Sequence, residues 1–432
     1  MFYDKTTKQF INLKGHFMNN QHVLGIIAEY NPFHNGHLFQ LETAKKQINA
    51  SATVAVMSGN FVQRGDIAIM DKWTRANLAV ENGIDLVLEL PTAYTLRSAE
   101  HFAHGSINLL KSTGIISHLS FGCETNNISN LNKIVELTEN KSILKNYIEE
   151  SNCTYIEAIN KILKTYDTYH NSDLAKIAYL PNNVLAIEYL KAIKRVSYDI
   201  AVLAIKRIGS NYNEKNLNSN FASATAIRNE FINFGASANL ENNLPINTFQ
   251  ALKTLDSTNN YVDPNTLSTL FSYLLKNQTQ ESIFASCECS EGLENKIFKA
   301  RKENSYNNIL NSIKSKRYPL SRIKRLLFQL LLSSNNLNFK DIYPKETPYI
   351  RILAFNDIGR KLLKKMKDES TAPIITKLSK NILQNENYSP EFKSSLQLDI
   401  TASNTYSILT NNSLPFNSDY LTSPIYNKKP KS

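Results

Sequence analysis

Nowhere does this chain of 432 residues carry an apolar run approaching the about 18 residues that a membrane-spanning helix needs. Cysteine is almost as scarce. The four, Cys123, Cys153, Cys287 and Cys289, are scattered, and Ser286-Cys287-Glu288-Cys289 has neither zinc-knuckle spacing nor a second cysteine pair. No disulfide framework and no structural metal are expected, and the compartment is read as reducing and cytoplasmic. The H-E-x-x-H zincin pattern is missing too. The opening MFYDKTTKQFINLKGHFMNN lacks a continuous apolar segment and a small-residue cleavage site, and Met18 lies just before the first good strand. Residues 1–20 therefore read as an overlong gene start or a loose extension rather than a signal peptide.

Positive charge is in excess, with 49 Lys and Arg against 38 Asp and Glu, a formal +11. That suits a polyanionic partner such as nucleic acid, or reflects the bias of a Lys-rich proteome; it speaks to binding and solubility, not to fold. The length allows two or three domains.

Val23–Ala28 (VLGIIA) is apolar without alternation, as a strand buried on both faces reads. The turn Glu29-Tyr30-Asn31-Pro32-Phe33 follows, and then a helix from His34-Asn35-Gly36-His37 with Leu38, Leu41 and Ala44 at helical spacing. The beat repeats: strand Thr53–Met57, helix Asp71–Glu81, strand Asp85–Leu90, helix Ala99–Leu110, strand His118–Phe121. Such alternation predicts an α/β fold whose mostly parallel sheet is covered on both faces. Residues 126–173 are polar and helical in pattern and look like an insertion. A further buried strand is expected at Asp199–Ile205, then a helix opening at Ser223-Ala224-Thr225-Ala226-Ile227-Arg228 with Ser or Thr as its N-cap. Near residue 235 the beat is lost. The domain reading is thus 21–235, with its insertion, followed by a mainly helical region over 236–432. Within that region Leu320–Leu332 is the strongest helix, and Tyr349–Phe355, Ile358–Met366 and Ala372–Thr376 form a small mixed unit. The tail from Asn412 reads as irregular.

His34-Asn35-Gly36-His37 carries the most chemistry. Two histidines three apart at a helix start share a face, the glycine between them admits close approach of a ligand, and the helix N-terminus offers free N–H groups to an anion. After a buried strand, this is a phosphate site at the carboxyl edge of a parallel sheet. The imidazoles can donate to oxygens of a reacting triphosphate as pyrophosphate leaves. An HxxH pair could instead hold zinc, but a catalytic zinc wants a third protein ligand, for which His101 and His104 are the candidates. No metal site is expected.

The stretch GIIAEYNPFHNGHL (Gly25–Leu38) resembles the entry motif of the HxGH nucleotidyltransferase superfamily, and more closely the tRNA(Met) cytidine acetate ligase family of bacteria. The similarity continues through AVMSGNFVQRGDIAIMDKWTRANLAVENGIDLVLELP (Ala55–Pro91), SFGCE, PNNVLAIEYL, IKRIGSNY (Ile205–Tyr212), FASATAIR, KRYPLSRIKRLL, PYIRILAFNDIGRKLL and PIITK, from about Val23 to about Tyr426. The resemblance implies a Rossmann-like nucleotidyltransferase domain and an enzyme that makes acetyl-adenylate from acetate and ATP, as Mg-ATP. It implies transfer of the acetyl group to N4 of the wobble cytidine of elongator tRNA(Met). The ATP-binding stretch maps onto Ile27, Ala28, Glu29, Tyr30, Asn31, Pro32, Phe33, His34, Asn35, Gly36, His37, Leu38, Phe39 and Gln40. Further ATP contacts map onto Gly122, Asn182 and Arg207, with Ser223, Thr225 and Arg228 resembling a second phosphate-binding motif.

Gly122 would leave room for adenine or ribose, Asn182 offers a donor and an acceptor, and Arg207 can clamp phosphate bidentately. Each also has a plain structural reading, as turn or strand-end residues. Catalysis is assigned to His34 and His37, with Lys72 and Arg75, three apart on one helical face, approaching acetate, phosphates or RNA, or simply forming a solvated basic face. Gln63-Arg64-Gly65 is not placed. The cluster Lys314, Lys316, Arg317, Arg322, Lys324, Arg325 suits RNA backbone phosphate, or is the solvated face of a packed helix. Thr401 and Asn404 stand where the family pattern tends to have an arginine and an aspartate. The competing functions are another HxGH adenylyl- or cytidylyltransferase acting on a small molecule, and a non-catalytic RNA-binding protein.

Overall fold

The computed structural model describes residues 22–428 apart from 126, 141, 143, 146–154, 209–220, 291, 316, 334–336 and 412. The 1–20 extension with Met18, Cys153, the Gly209–Tyr212 end of IKRIGSNY and Lys316 lie outside the described residues.

One sheet runs in the order β5-β4-β1-β2-β3-β6-β7, with β8 also on β6. Its parallel part is β1 (Val23–Ala28), β2 (Ala52–Ser58), β3 (Leu86–Leu90), β4 (His118–Cys123) and β5 (Ala201–Lys206). Helices α1 (Asn35–Ile48) and α2 (Lys72–Glu81) cover one face through Leu41, Ala44, Trp73 and Ala76. Helices Ala99–Ser112 and Pro181–Arg195 cover the other through Phe102, Ile107, Ala186 and Leu190. Burial on both faces is why β1 to β3 need no polar alternation. The segment read as an insertion joins this core: Leu131 and Ile134 of helix Ile128–Glu139, and Leu163 of helix Tyr155–His170, pack with the Pro181–Arg195 helix. β5 departs from expectation. It forms the sheet edge, and most of its residues are half-buried or exposed.

The strands of the small mixed C-terminal unit join the same sheet. β6 (Ile350–Phe355) runs antiparallel to β3, with Leu86 opposite Phe355 and Glu89 opposite Arg351. β7 (Ile374–Ile375) and β8 (Ile425–Tyr426) pair along the other side of β6. Residues beyond 236 therefore complete the sheet begun at Val23. Buried Asp85 fixes this junction, taking hydrogen bonds from Thr53 N (2.8 Å) and Asn356 Nδ2 (2.8 Å). The tail is ordered around a buried charge cluster. Lys72 Nζ lies 2.7 Å from both Glu89 Oε1 and Asp419 Oδ1, and Arg351 Nη1 lies 2.5 Å from Asp419 Oδ1.

Between β5 and β6 the chain is helical. Helix Leu320–Leu332, at its expected bounds, buries Ile323, Leu327 and Leu330 against Phe271, Ile309 and Ile313. Cys287 and Cys289 belong to this core, their Sγ atoms 3.2 Å apart.

Candidate active site

A cleft of about 980 Å³, counting space open to solvent, lies at the carboxyl ends of β1, β4 and β5. The chain runs outward from β1 through β2 to β3, then crosses to β4 and β5 on the other side of β1. Ligands of open α/β sheets sit at such a reversal. The cleft brings together Ile27, Ala28, Glu29, Tyr30, Asn31, His34, His37, Gln40, Gly122, Asn182, Arg207, Ser223, Thr225 and Arg228. Pro32, Phe33, Asn35, Gly36, Leu38 and Phe39, also expected at the nucleotide, do not line it. Several of them shape the loop instead. Phe33 is buried against Tyr30, with ring centroids 4.7 Å apart, and Asn35 Nδ2 donates to Asn242 O at 2.9 Å. Gly36 is required for a reason other than ligand approach: a Cβ there would lie 2.8 Å from His34 Cε1.

His34 is the N-cap of α1. Its Nδ1 accepts from Gly36 N at 3.0 Å, and His37 Nδ1 accepts from His34 N at 3.3 Å, a reciprocal capping box built from two imidazoles. With both Nδ1 lone pairs engaged by backbone donors, each neutral ring carries its proton on Nε2. The rings stack 3.8 Å apart. Burial, then repulsion from Arg207, pushes His37 down to about 3. Burial, then His37 and the guanidiniums of Arg207 and Arg228, holds His34 well below its usual range. The site therefore presents two neutral N–H donors, not imidazolium ions.

Cations surround them. Burial lowers the pKa of Arg207 and of Arg228; Glu124 offsets this for the first and Asp66 for the second. Guanidiniums gathered in one cleft favour a polyanion. Arg228 also donates to Asn31 O at 2.8 Å, tying helix Ala224–Phe234 to the loop after β1. Ser223 Oγ is the N-cap of helix Ala224–Phe234 and accepts from Ala226 N at 3.2 Å, which leaves the N–H groups of Ala224 and Thr225 for an anion. Gly122 lies within β4, and a Cβ there would meet Gln40 Oε1 only at 3.5 Å, so the glycine opens space. Asn182 spends one of its two amide N–H groups on Glu124 Oε1, at 2.7 Å, which leaves the other N–H and the carbonyl oxygen to offer. Tyr30 holds φ 46, a conformation bulky side chains rarely adopt, and is buried beside His37.

Lys72 and Arg75 do not line the cleft, and both are fully buried, which removes the RNA and solvated-face readings. Lys72 is spent in the ion cluster with Glu89 and Asp419. Arg75 donates to the carbonyls of Glu29 (2.6 Å), Met70 (3.0 Å), Ser58 (3.1 Å) and Gly59, fastening the end of β1 to the end of β2. Their part is to hold the site's floor. Arg64, left unplaced by sequence, lines the cleft, while Gln63 O accepts from Arg325 Nη1 at 3.1 Å. Gly65, at φ 74, lies so close to helix Leu320–Leu332 that a Cβ would be 2.7 Å from Arg325 N. Phe102, Phe121, Leu185 and Tyr189 form an apolar end of the cleft that sequence reasoning did not single out. Of the basic cluster, Lys314 and Arg317 are exposed, whereas Lys324 Nζ binds Asp66 Oδ1 at 2.6 Å. Asn404 braces the tail, accepting from Asn417 N at 2.8 Å. His101 and His104 lie outside the cleft lining, and no group of three metal-ligating side chains occurs among the described residues.

Comparison with known proteins agrees with this geometry. The sequence profile described as HIGH Nucleotidyl Transferase matches residues 21–419. A tRNA(Met) cytidine acetate ligase of Clostridium novyi is 41% identical over 94% of this chain and 100% of its own length. One from Clostridium kluyveri is 40% identical over 93% and 98%. The crystal structure of apo Thermotoga maritima TmcAL superposes with a TM-score of 0.86 at 29% identity, covering 95% of this chain and 100% of that one. The form of the same protein bound with alpha-thio ATP gives a TM-score of 0.85, also at 29% identity over 95% and 100%. With its histidine-capped helix at the sheet reversal and this likeness along nearly its whole length, the chain belongs to the HIGH nucleotidyl transferases and, within them, to the tRNA(Met) cytidine acetate ligase family.

Proposed function

We propose that the protein joins acetate to AMP at this cleft and passes the acetyl group to N4 of the wobble cytidine of elongator tRNA(Met). In the first step an acetate oxygen attacks the α-phosphorus of ATP, the bond from that phosphorus to the bridging oxygen breaks, and pyrophosphate leaves. In the second, the cytosine amine attacks the acetyl carbonyl carbon, the C–O bond to AMP breaks, and the amine proton passes to solvent. Acetate itself is a poor acyl donor, and the amine is weak because its lone pair is delocalised into the ring; the mixed anhydride supplies the leaving group.

The observation that carries this reading is the pair of neutral Nε2–H donors sharing one cleft with the guanidiniums of Arg207 and Arg228. Donors fixed by the backbone need no reorganisation as charge develops on the α-phosphoryl oxygens. Arg207, Arg228 and the free N–H groups at the Ala224–Phe234 helix would hold the phosphates. Adenine would enter between Gly122 and the apolar end. Glu29 brings the cleft's acidic side chain, so a magnesium ion would be held chiefly by phosphate oxygens and water, with Glu29 as its protein partner. We assign RNA binding to the stretch from residue 236 on, and work in the cytoplasm to the whole.

The test is incubation with ATP, labelled acetate and total tRNA, followed by nucleoside mass spectrometry. Label in N4-acetylcytidine of elongator tRNA(Met), lost when ATP is omitted, is the expected result. Pyrophosphate exchange driven by nicotinate mononucleotide or phosphopantetheine and not by acetate would overturn it in favour of a small-molecule nucleotidyltransferase.

A further inference from the structure

Beside the ATP cleft opens a second, larger cavity of about 1600 Å³, again counting space open to solvent. The two share Thr225 and Arg228. Asn31 lines the first and Ile69 the second, and Ile69 N donates to Asn31 Oδ1 at 2.8 Å. The boundary between them is formed by Asn31, Ile69, Thr225 and Arg228, the last two lining both. It is built from the loop and the arginine that the proposed function places at the reacting phosphate.

The second cavity is unlike the first. Its walls include the aromatic rings of Phe231, Tyr261, Tyr306 and Phe328, with Asp66 and Lys324 on its polar side. Tyr306 stacks on Phe271, ring centroids 4.9 Å apart, and its hydroxyl oxygen is buried with no hydrogen-bond partner among the described residues. On the partition, Asn31 Nδ2 is likewise buried and unpartnered. Buried polar atoms are nearly always satisfied, so two on one cavity wall and its partition point to a polar ligand. The cavity is far larger than acetate needs, and ATP has its own cleft. The exposed Lys314 and Arg317 precede helix Leu320–Leu332, which supplies Lys324 to the cavity and offers a phosphate-binding approach.

We propose that this cavity receives the acceptor cytosine, unstacked from its loop, with the exocyclic amine placed at the Asn31–Arg228 wall facing the acetyl-adenylate. The inference rests on the function proposed above and names the place of its second substrate. Enzymes that act on a base hold it between aromatic or apolar side chains and read its Watson–Crick edge by hydrogen bonds. The Tyr306 hydroxyl can donate to the acceptors N3 and O2 of that edge, and the amine supplies the donor.

Two substitutions test this away from the ATP cleft. Tyr306→Phe removes only the hydroxyl, and Asn229→Trp places bulk in the cavity from a half-buried lining position. Acetate-dependent pyrophosphate exchange should stay within about twofold in both, since neither residue lines the ATP cleft. Acetyl transfer to unmodified tRNA(Met) should fall roughly 2–12-fold in Tyr306→Phe, the worth of one neutral hydrogen bond. It should fall more than about tenfold in Asn229→Trp, where the base no longer fits. Wild-type rates of transfer in both variants, or equal loss of exchange and transfer in folded protein, overturn the proposal. A binding arm needs no activity: an anticodon stem-loop with cytosine at the acceptor position against the same loop with an abasic site. Wild type should prefer cytosine and Asn229→Trp should not; an unchanged preference overturns the cavity assignment. Absence of acetate-dependent exchange in wild type would instead defeat the acetate reading, and the stem-loop comparison would still judge the cavity.

Discussion

The two histidines cap their helix through Nδ1 and, in the proposed reaction, would donate through Nε2, which makes the two parts separable. Replacing His34 by Ala removes the cap and the donor together. Loss of the donor should slow exchange roughly 100–1000-fold, and loss of the cap should cost about 1 kcal/mol of stability. Asn at position 34 can still cap but has no Nε2–H at that place. His34→Asn should therefore melt close to wild type while exchanging as slowly as the alanine variant; an asparagine variant with more than about a tenth of wild-type exchange would remove His34 from the chemistry. His37 gives a signed pH effect. Its folded pKa of about 3 lies below the ordinary 6.5, so between those values the unfolded chain binds a proton the folded chain refuses. Its contribution is present above pH 6.5 and is lost as pH falls toward 3. Urea midpoints at pH 4.5 and pH 7 should differ less in His37→Asn than in wild type. At this scale sequence served best where a motif names its atoms, as in HNGH, and worst where the environment decides. Lys72 and Arg75 look like surface cations because sequence cannot show Glu89, Asp419 and the four carbonyls that bury them.

Elements place those atoms. Arg75 on α2 holds the carbonyls of Glu29, Ser58 and Gly59 in one spot, so the loop that bears His34 inherits its position from a neighbouring helix. Arg75→Met leaves buried acceptors without a donor and should cost at least about 3 kcal/mol, seen as a fall in urea midpoint. Rescue of stability by Arg75→Lys, whose single ammonium cannot span all these carbonyls, would argue against this account. Gly36→Ala sets a Cβ 2.8 Å from His34 Cε1, so the ring must turn out of its cap; exchange should drop more than about tenfold while helical circular dichroism is retained. The five parallel strands were legible because each is a short apolar run between helices. The edge position of β5 was not, since a run of DIAVLAI does not say what covers it. The antiparallel course of β6 was equally hidden. Strand direction and partner are set by a chain returning across more than 260 residues, and YIRILAF carries no mark of either.

Across the whole molecule, one carboxylate joins the cleft to the helical region. Asp66 lies 3.5 Å from Arg228 Nη2 in the cleft and 2.6 Å from Lys324 Nζ on helix Leu320–Leu332. The basic cluster thus divides. Lys314→Glu with Arg317→Glu should weaken tRNA binding and lower its salt slope, leaving acetate-dependent exchange intact, whereas Lys324→Glu should disturb both. Filter binding across a salt series, run beside exchange assays, checks this; equal loss of exchange in the Lys314 and Arg317 variant would refute the division. Asp419→Ala would leave Lys72 and Arg351 with Glu89 alone between them, at a cost of about 3–5 kcal/mol. That clasp has a consequence in time. Lys72 and Asp419 are separated by 347 positions, so a ribosome adding about 5–20 residues per second needs roughly 17–70 s between them. Throughout that interval the nascent polypeptide holds a lysine and, later, an arginine destined for a dry interior, with Glu89 made but their second carboxylate not yet made. Until then two cations share one carboxylate, and a message cut short before codon 419 yields a product that lacks the last charge of its own interior.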